Sequence, residues 1–377
     1  MRPKDLQRLA KPFEAEGDRE QVTAQALSVD ASQWRRLDRT VFADLVAEPP
    51  YGLSWMVEGT GTKLRILVSD YLYCCVSSVR THLREAGLHA LELRDAVDLN
   101  EAQLSNSLVI DPRLEVVRFL PPNSPLEDLS SDLVGIHRVG TVRAAASALD
   151  CVAGAVVGVV GLKTTIFRAG WPGVSRLLKE LGPDDDDVVK NRQREFREAL
   201  EAQISKAGPR GWLDWVYEYR NMLVHRGRRI EVGQFRLGEP EHGSRPRVES
   251  LMHMPRDPAR SDVEVRLDHA PPRLPLLTED AETTVFGALG STLQLVDGIA
   301  DLLIEFVEWR RQQPQLLAQP AQQWLGGPTL GMAAFEGYAP GTLEYDPAYL
   351  VGGGEVFHRL RAAALDDASR GQWRTFD

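Results

Sequence analysis

The chain has 377 residues, 43% of them hydrophobic and 26% charged, which fits a soluble protein of roughly two or three domains and excludes both wholesale disorder and a small cross-linked scaffold. Its 44 Lys and Arg against 54 Asp and Glu leave a net charge of −10, so a nucleic-acid partner has to be gripped by a local basic patch rather than by the surface as a whole. Three cysteines, Cys74, Cys75 and Cys151, are too few for an all-paired framework or a four-thiolate zinc site and suit a reducing compartment.

The N-terminal run MRPKDLQRLAKPFEAEGDRE is charged throughout and lacks the apolar core of a secretory signal. The uncharged stretch from Cys151 to Leu162 is too short to cross a bilayer. Together these place the chain in the cytoplasm with no membrane partner. Residues 1–50 read as a polar, partly helical arm or linker ending at Pro49-Pro50.

Between residues 51 and 122 the signals alternate and predict a small α/β domain. YGLSWMV, KLRILV, LHALEL, SLVI and LEVVRFL read as strands, and DYLYCCVSSVRTHLREAG as a helix. Gly59-Thr60-Gly61-Thr62-Lys63-Leu64 opens like a dinucleotide fingerprint, but Leu64 replaces the third glycine and a strand is expected next, so a hairpin turn is the better reading. The turn formers of PPNSPLEDLSSD then separate this domain from a mainly α region over residues 133–313.

In that region helices are expected near 134–160, 171–181, 188–206, 211–226 and 279–311. The last keeps Val285, Leu289, Leu293, Val296, Leu303 and Phe306 at three-to-four spacing, with acids in its first turn and Arg310-Arg311 in its last. Gly154 and Gly158, one turn apart, suit close helix packing in a core. Residues 230–277 read as an insertion or hairpin, and residues 314–377 as an irregular tail with one short helix near 355–365.

The most informative stretch is Gly211 to Gly227. At about 100° per residue, Trp212, Trp215, Val216, Tyr219, Met222 and Leu223 share an inward face, while Asp214, Glu218, Asn221 and His225 fall opposite. Asn221 and His225 are helical neighbours, whereas Arg220 lies roughly 140° from His225 and reaches it only around the helix. Lys206, Arg210, Arg220, Arg226, Arg228 and Arg229 outnumber Asp214 and Glu218, making a basic spot of +4 in an acidic chain. The interleaved aromatics at helical spacing read as core rather than as base-stacking platforms.

Arg220-Asn221-Met222-Leu223-Val224-His225 resembles the R-x4-H motif of the HEPN superfamily, including the polar residue that often follows the arginine. The resemblance extends to the layout over residues 133–313: a long helix ending in small apolar residues, intermediate helices, the motif near a helix end and a long closing helix. It implies a HEPN-like bundle of about five helices. It also implies a metal-independent endoribonuclease acting as a homodimer through the motif helices, often a toxin under an antitoxin or an antiphage defence protein. Arg220, Asn221 and His225 would then take the motif's catalytic roles, with RNA as partner and no cofactor or metal. Glu218, Arg226, Arg228 and Arg229 are the candidate substrate-binding residues.

A purely structural reading pairs Arg220 with Glu218 or Asp214 and leaves His225 as a helix cap; separately, the alternative function that the resemblance allows is a non-catalytic HEPN-like scaffold for nucleic acid or protein. The Asp184–Asp187 run reads as a solvated helix start, and His242, His253 and His269 lack metal-ligand spacing. His137-Arg138 is left outside the site.

Overall fold

The structure, a computed structural model, describes residues 15–28, 33–46, 62–111, 116–121, 125–162, 164, 166, 169–181, 187–225, 232–238, 246–256, 258 and 276–313. Among these the chain is mainly α. The helices are α1 (Ala15–Leu27), α2 (Gln33–Val46), α3 (Thr62–Ser107), α4 (Pro125–Val160), α5 (Trp171–Lys179), α6 (Val188–Ala207), α7 (Trp212–His225) and α8 (Ala281–Gln312). Two antiparallel hairpins accompany them: β1 (Leu108–Asp111) with β2 (Val116–Phe119), and β3 (Val232–Leu237) with β4 (Val248–His253).

Helix α3 overturns most of the expected α/β segment. KLRILV and LHALEL are helical, and only SLVI and LEVVRFL form strands; YGLSWMV lies outside the described residues. The reason is a longer period than the local alternation. Leu72, Val76, Val79, Leu83, Ala86, Ala90 and Leu93 are all buried and follow one another at steps of four and three, the spacing of one helix face. Leu88 and Leu91, which strand alternation sets on opposite faces, both stay exposed. The expected separator at 121–132 is likewise helical from Pro125, since proline is tolerated at the first helical position.

The helices expected at 171–181, 188–206, 211–226 and 279–311 all form, with ends displaced by one or two residues. The region 230–277 contains the β3–β4 hairpin; DVEVRL and the tail helix lie outside the described residues.

Two compact units emerge. Unit 1 takes Met1–Ala31, Arg80–Ala148 and Ala202–Val296, and unit 2 takes Ser32–Val79, Leu149–Glu201 and Asp297–Asp377. The cuts fall within α3, α4, α6 and α8, so each of these helices gives one segment to each unit. The segment expected as an arm supplies core instead: Ala26 of α1 is buried in unit 1, and Trp34, Leu37 and Val41 of α2 are buried in unit 2.

In unit 2 the Trp34 indole N–H donates to the Val76 carbonyl at 2.7 Å, and the Arg311 guanidinium holds the buried Asp44 carboxylate. The α4 helix ends at Gly161, whose φ of 76° lies in the left-handed region that glycine adopts freely. Its orphan carbonyls are met from neighbouring helices. Gln193 donates to Val160 and Gly161 at 3.0 and 3.1 Å, and the buried Arg310 reaches Val160 at 3.4 Å.

The stretch holding Gly154 and Gly158 packs against α3. A Cβ added at Gly154 would stand 2.6 Å from Cys75 Sγ, and one at Gly158 would stand 2.6 Å from Leu72 Cδ1. Gly154→Val is therefore expected to destabilise unit 2 by about 2–3 kcal/mol through overpacking, read as a lower denaturation midpoint. Adding Cys75→Ala should recover part of that loss; strictly additive effects would show that the two residues do not collide.

Segments Leu129–Val160 and Ala281–Gln312 are long and apolar enough to cross a bilayer by length and composition. The most apolar window of the first is 78% buried within the protein, as expected of a core helix.

Candidate active site

Helix α7 is preceded by Gly211, whose φ of 85° lies in the left-handed region and whose carbonyl accepts the Trp215 N–H at 3.0 Å. Two indoles then fix its rotation. Trp212 Nε1 donates to the Ile204 carbonyl of α6 at 3.2 Å, and Trp215 Nε1 donates to the Pro255 carbonyl beyond β4 at 2.9 Å. Trp212, Val216, Tyr219 and Met222 are buried as the helical wheel predicts. Leu213 and Tyr217 are buried too, so the apolar stripe is wider than the sequence suggested, and Trp215 and Leu223 lie at its half-exposed edge.

This rotation leaves Arg220, Asn221 and Glu218 half-buried and Asp214 exposed. Arg220 Nη1 donates to Asn221 Oδ1 at 3.3 Å, and its guanidinium carbon lies 5.8 Å from the Tyr217 ring centroid. The amide and the ring thus both bear on the guanidinium. Trp215 and Tyr219 stack beside them with centroids 5.0 Å apart and planes 10° from parallel. His225 is the last helical residue; its side chain, and Arg226, Arg228 and Arg229 altogether, lie outside the described residues.

The structure also gathers groups that the sequence reading left apart. His89 of α3 and His137 of α4 meet Nδ1 to Nδ1 at 3.2 Å, a contact that needs one ring to donate and the other to accept. Gly140 makes room for it, since a Cβ there would stand 2.6 Å from the His89 ring. LHALEL reads as a strand in the sequence, which hides His89 as the partner of His137. Arg138 is only 4% exposed. The hairpin histidine His253 is held by the backbone carbonyls of Leu277 and Glu279. Among the described residues no three His, Cys, Asp or Glu side chains come together as a metal site.

Burial, and then the neighbouring His137, hold the His89 pKa below the usual histidine range, while Glu85 and Glu92 act in the opposite direction. A folded-state pKa below the unfolded one makes the native state disfavour the proton. The associated stability is present above about pH 6.5 and is lost as pH falls through the lowered value. His89→Gln is expected to flatten the fall in unfolding free energy between about pH 7 and pH 5 by a fraction of one proton. Urea titrations across that range that give parallel pH profiles for both proteins would refute this.

No family model, curated protein or solved structure matches this chain.

Proposed function

We propose that the chain is a metal-independent endoribonuclease of HEPN type, with the helices between residues 133 and 313 as its HEPN-like domain. What carries this reading is the pattern Arg220-Asn221-x3-His225 on one helix whose Trp212, Val216, Tyr219 and Met222 are buried, leaving Arg220 and Asn221 half-exposed and hydrogen-bonded to each other.

The residue types suit the chemistry. Cleavage needs a base to take the proton of the ribose 2′-OH and an acid to protonate the departing 5′-oxygen. The 2′-oxygen forms a bond to phosphorus as the bond to the 5′-oxygen breaks, leaving a 2′,3′-cyclic phosphate and a 5′-OH. An imidazole titrating near neutral pH serves either proton transfer, so His225 is the general acid or base. Arg220 clamps the phosphate with a planar fork that a lysine lacks, and Asn221 orients that fork. One His225 per chain supplies one proton-transfer group. A twofold pairing of α7 helices supplies two histidines and two arginines to one scissile phosphate.

In this reading Glu218, Arg226, Arg228 and Arg229 bind the RNA around that phosphate, and the protein is a cytoplasmic toxin or antiphage effector under a regulatory partner. Incubating the purified protein with total RNA in EDTA, sizing it in solution and analysing the RNA ends tests the reading. Cleavage that persists in EDTA and leaves cyclic phosphate ends on a dimeric protein is expected. Cleavage abolished by EDTA, or none at all, overturns it, and RNA retained without cleavage assigns the domain to binding instead.

A further inference from the structure

We propose that unit 1 carries a second site, separate from α7: a cleft that binds a small organic cation, a primary amine on a compact apolar body. The cleft lies between α3 and α4 and is closed by the β3–β4 hairpin and the start of α8, with a volume of about 280 Å³. That lies at the lower end of small-molecule sites and fits a fragment-sized ligand.

Its walls divide by chemistry. Leu93, Val97 and Leu104 line one side from a single face of α3, and Val134, Phe235 and Met252 complete an apolar surface. Such a surface takes a hydrocarbon or aromatic body out of water. Three carboxylates of the lining, Asp132, Asp280 and Glu282, stand against two guanidinium groups, the buried Arg138 in the lining and Arg19, which lies 3.8 Å from Asp280 and 2.7 Å from Glu282, so the acids are one in excess. A cation is the ligand charge that this lining favours.

Glu282 is the lining carboxyl whose protonation the cleft shifts, chiefly by burial. Arg19 lies 2.7 Å from it and favours the carboxylate. Burial nevertheless outweighs Arg19 and, with Asp280, Glu101 and Asp98 nearby, lifts the Glu282 pKa to about 7. Near neutral pH this carboxyl is thus only partly ionised, in a partly apolar cleft, and an ammonium group can take the place of its remaining proton. Asp280 is held rigidly beside the cleft, its Oδ1 capping α8 by accepting the Thr283 N–H at 2.8 Å while Oδ2 accepts the Thr283 hydroxyl at 2.8 Å. Ser131, Ser250 and Asn100 add neutral polar groups to the lining. None of the lining residues belongs to α7, so ligand binding here and RNA cleavage are tested independently.

The test compares three probes that share one body and differ in charge: phenethylamine, 2-phenylethanol and phenylacetate, titrated calorimetrically into the full chain at pH 7. Phenethylamine is expected to bind in the millimolar range or better, with the alcohol and the acid at least about tenfold weaker. Because the ammonium displaces the Glu282 proton, heats in phosphate and MOPS buffers should differ by the release of a fraction of one proton. Glu282→Gln should weaken the amine about tenfold and abolish the buffer dependence. Asp132→Asn, which leaves the Arg19–Glu282 pair intact, should weaken it as well and serves if the first variant fails to fold. No amine binding at about 10 mM, equal or tighter binding of phenylacetate or 2-phenylethanol, or unchanged affinity in the folded variants overturns the proposal.

Discussion

Replacing His225 with alanine is expected to cut RNA cleavage by at least about 10²–10³-fold, because a positioned acid or base contributes roughly 10²–10⁴ to such a step. The helix should survive. His225 is the last residue of α7, whose rotation is fixed upstream by the Trp212 and Trp215 indole bonds and by buried Val216, Tyr219 and Met222. Circular dichroism and solution size should therefore match wild type while the product bands disappear. Arg220→Lys separates charge from geometry: it keeps the cation but loses the planar fork that lies over Tyr217 and donates to Asn221, and should slow cleavage by about 10²-fold. Wild-type rates in a pure, folded His225→Ala protein would remove His225 from the mechanism, and wild-type rates in Arg220→Lys would reduce Arg220 to a point charge.

Trp34→Ala is expected to cost about 3–5 kcal/mol, the usual range for truncating a fully buried large aromatic. Trp34 is 0% exposed and among the largest fully buried side chains, and its indole N–H meets the Val76 carbonyl at 2.7 Å. Against a total stability of roughly 5–15 kcal/mol this is a large share, so unit 2 should melt at a clearly lower denaturant concentration. Trp34→Phe keeps most of the apolar burial and loses the hydrogen bond, which costs about 1 kcal/mol beyond the lost ring volume. The two variants thus divide packing from hydrogen bonding, and a loss below about 1 kcal/mol in Trp34→Ala would show that α2 is not integral to the unit.

Helix α8 was legible down to individual residues. Val285, Leu289, Leu293, Val296, Leu303 and Phe306 are all buried, and the acidic first turn and basic last turn bracket it as read. Helix α7 was legible nearly as well, with its boundaries off by one residue at each end. The α3 region was not, because windows of six residues such as LHALEL satisfy strand alternation while the helical period shows only over several turns, from Leu72 to Leu93. That one misreading also hid a pairing, since a histidine assigned to a strand cannot be set against His137 of α4.

Sequence alone determined that this is a mainly helical chain with an Arg220–His225 pattern at the end of one amphipathic helix, because periodicity and spacing are local properties of the chain. Which distant side chains meet was decided only by tertiary structure. The His89–His137 contact, the carboxylates of Asp132, Asp280 and Glu282 around one cleft, and the burial that lifts the Glu282 pKa each depend on elements far apart in the chain being packed together. Desolvation and proximity are properties of that packing, and no local pattern of residues encodes them.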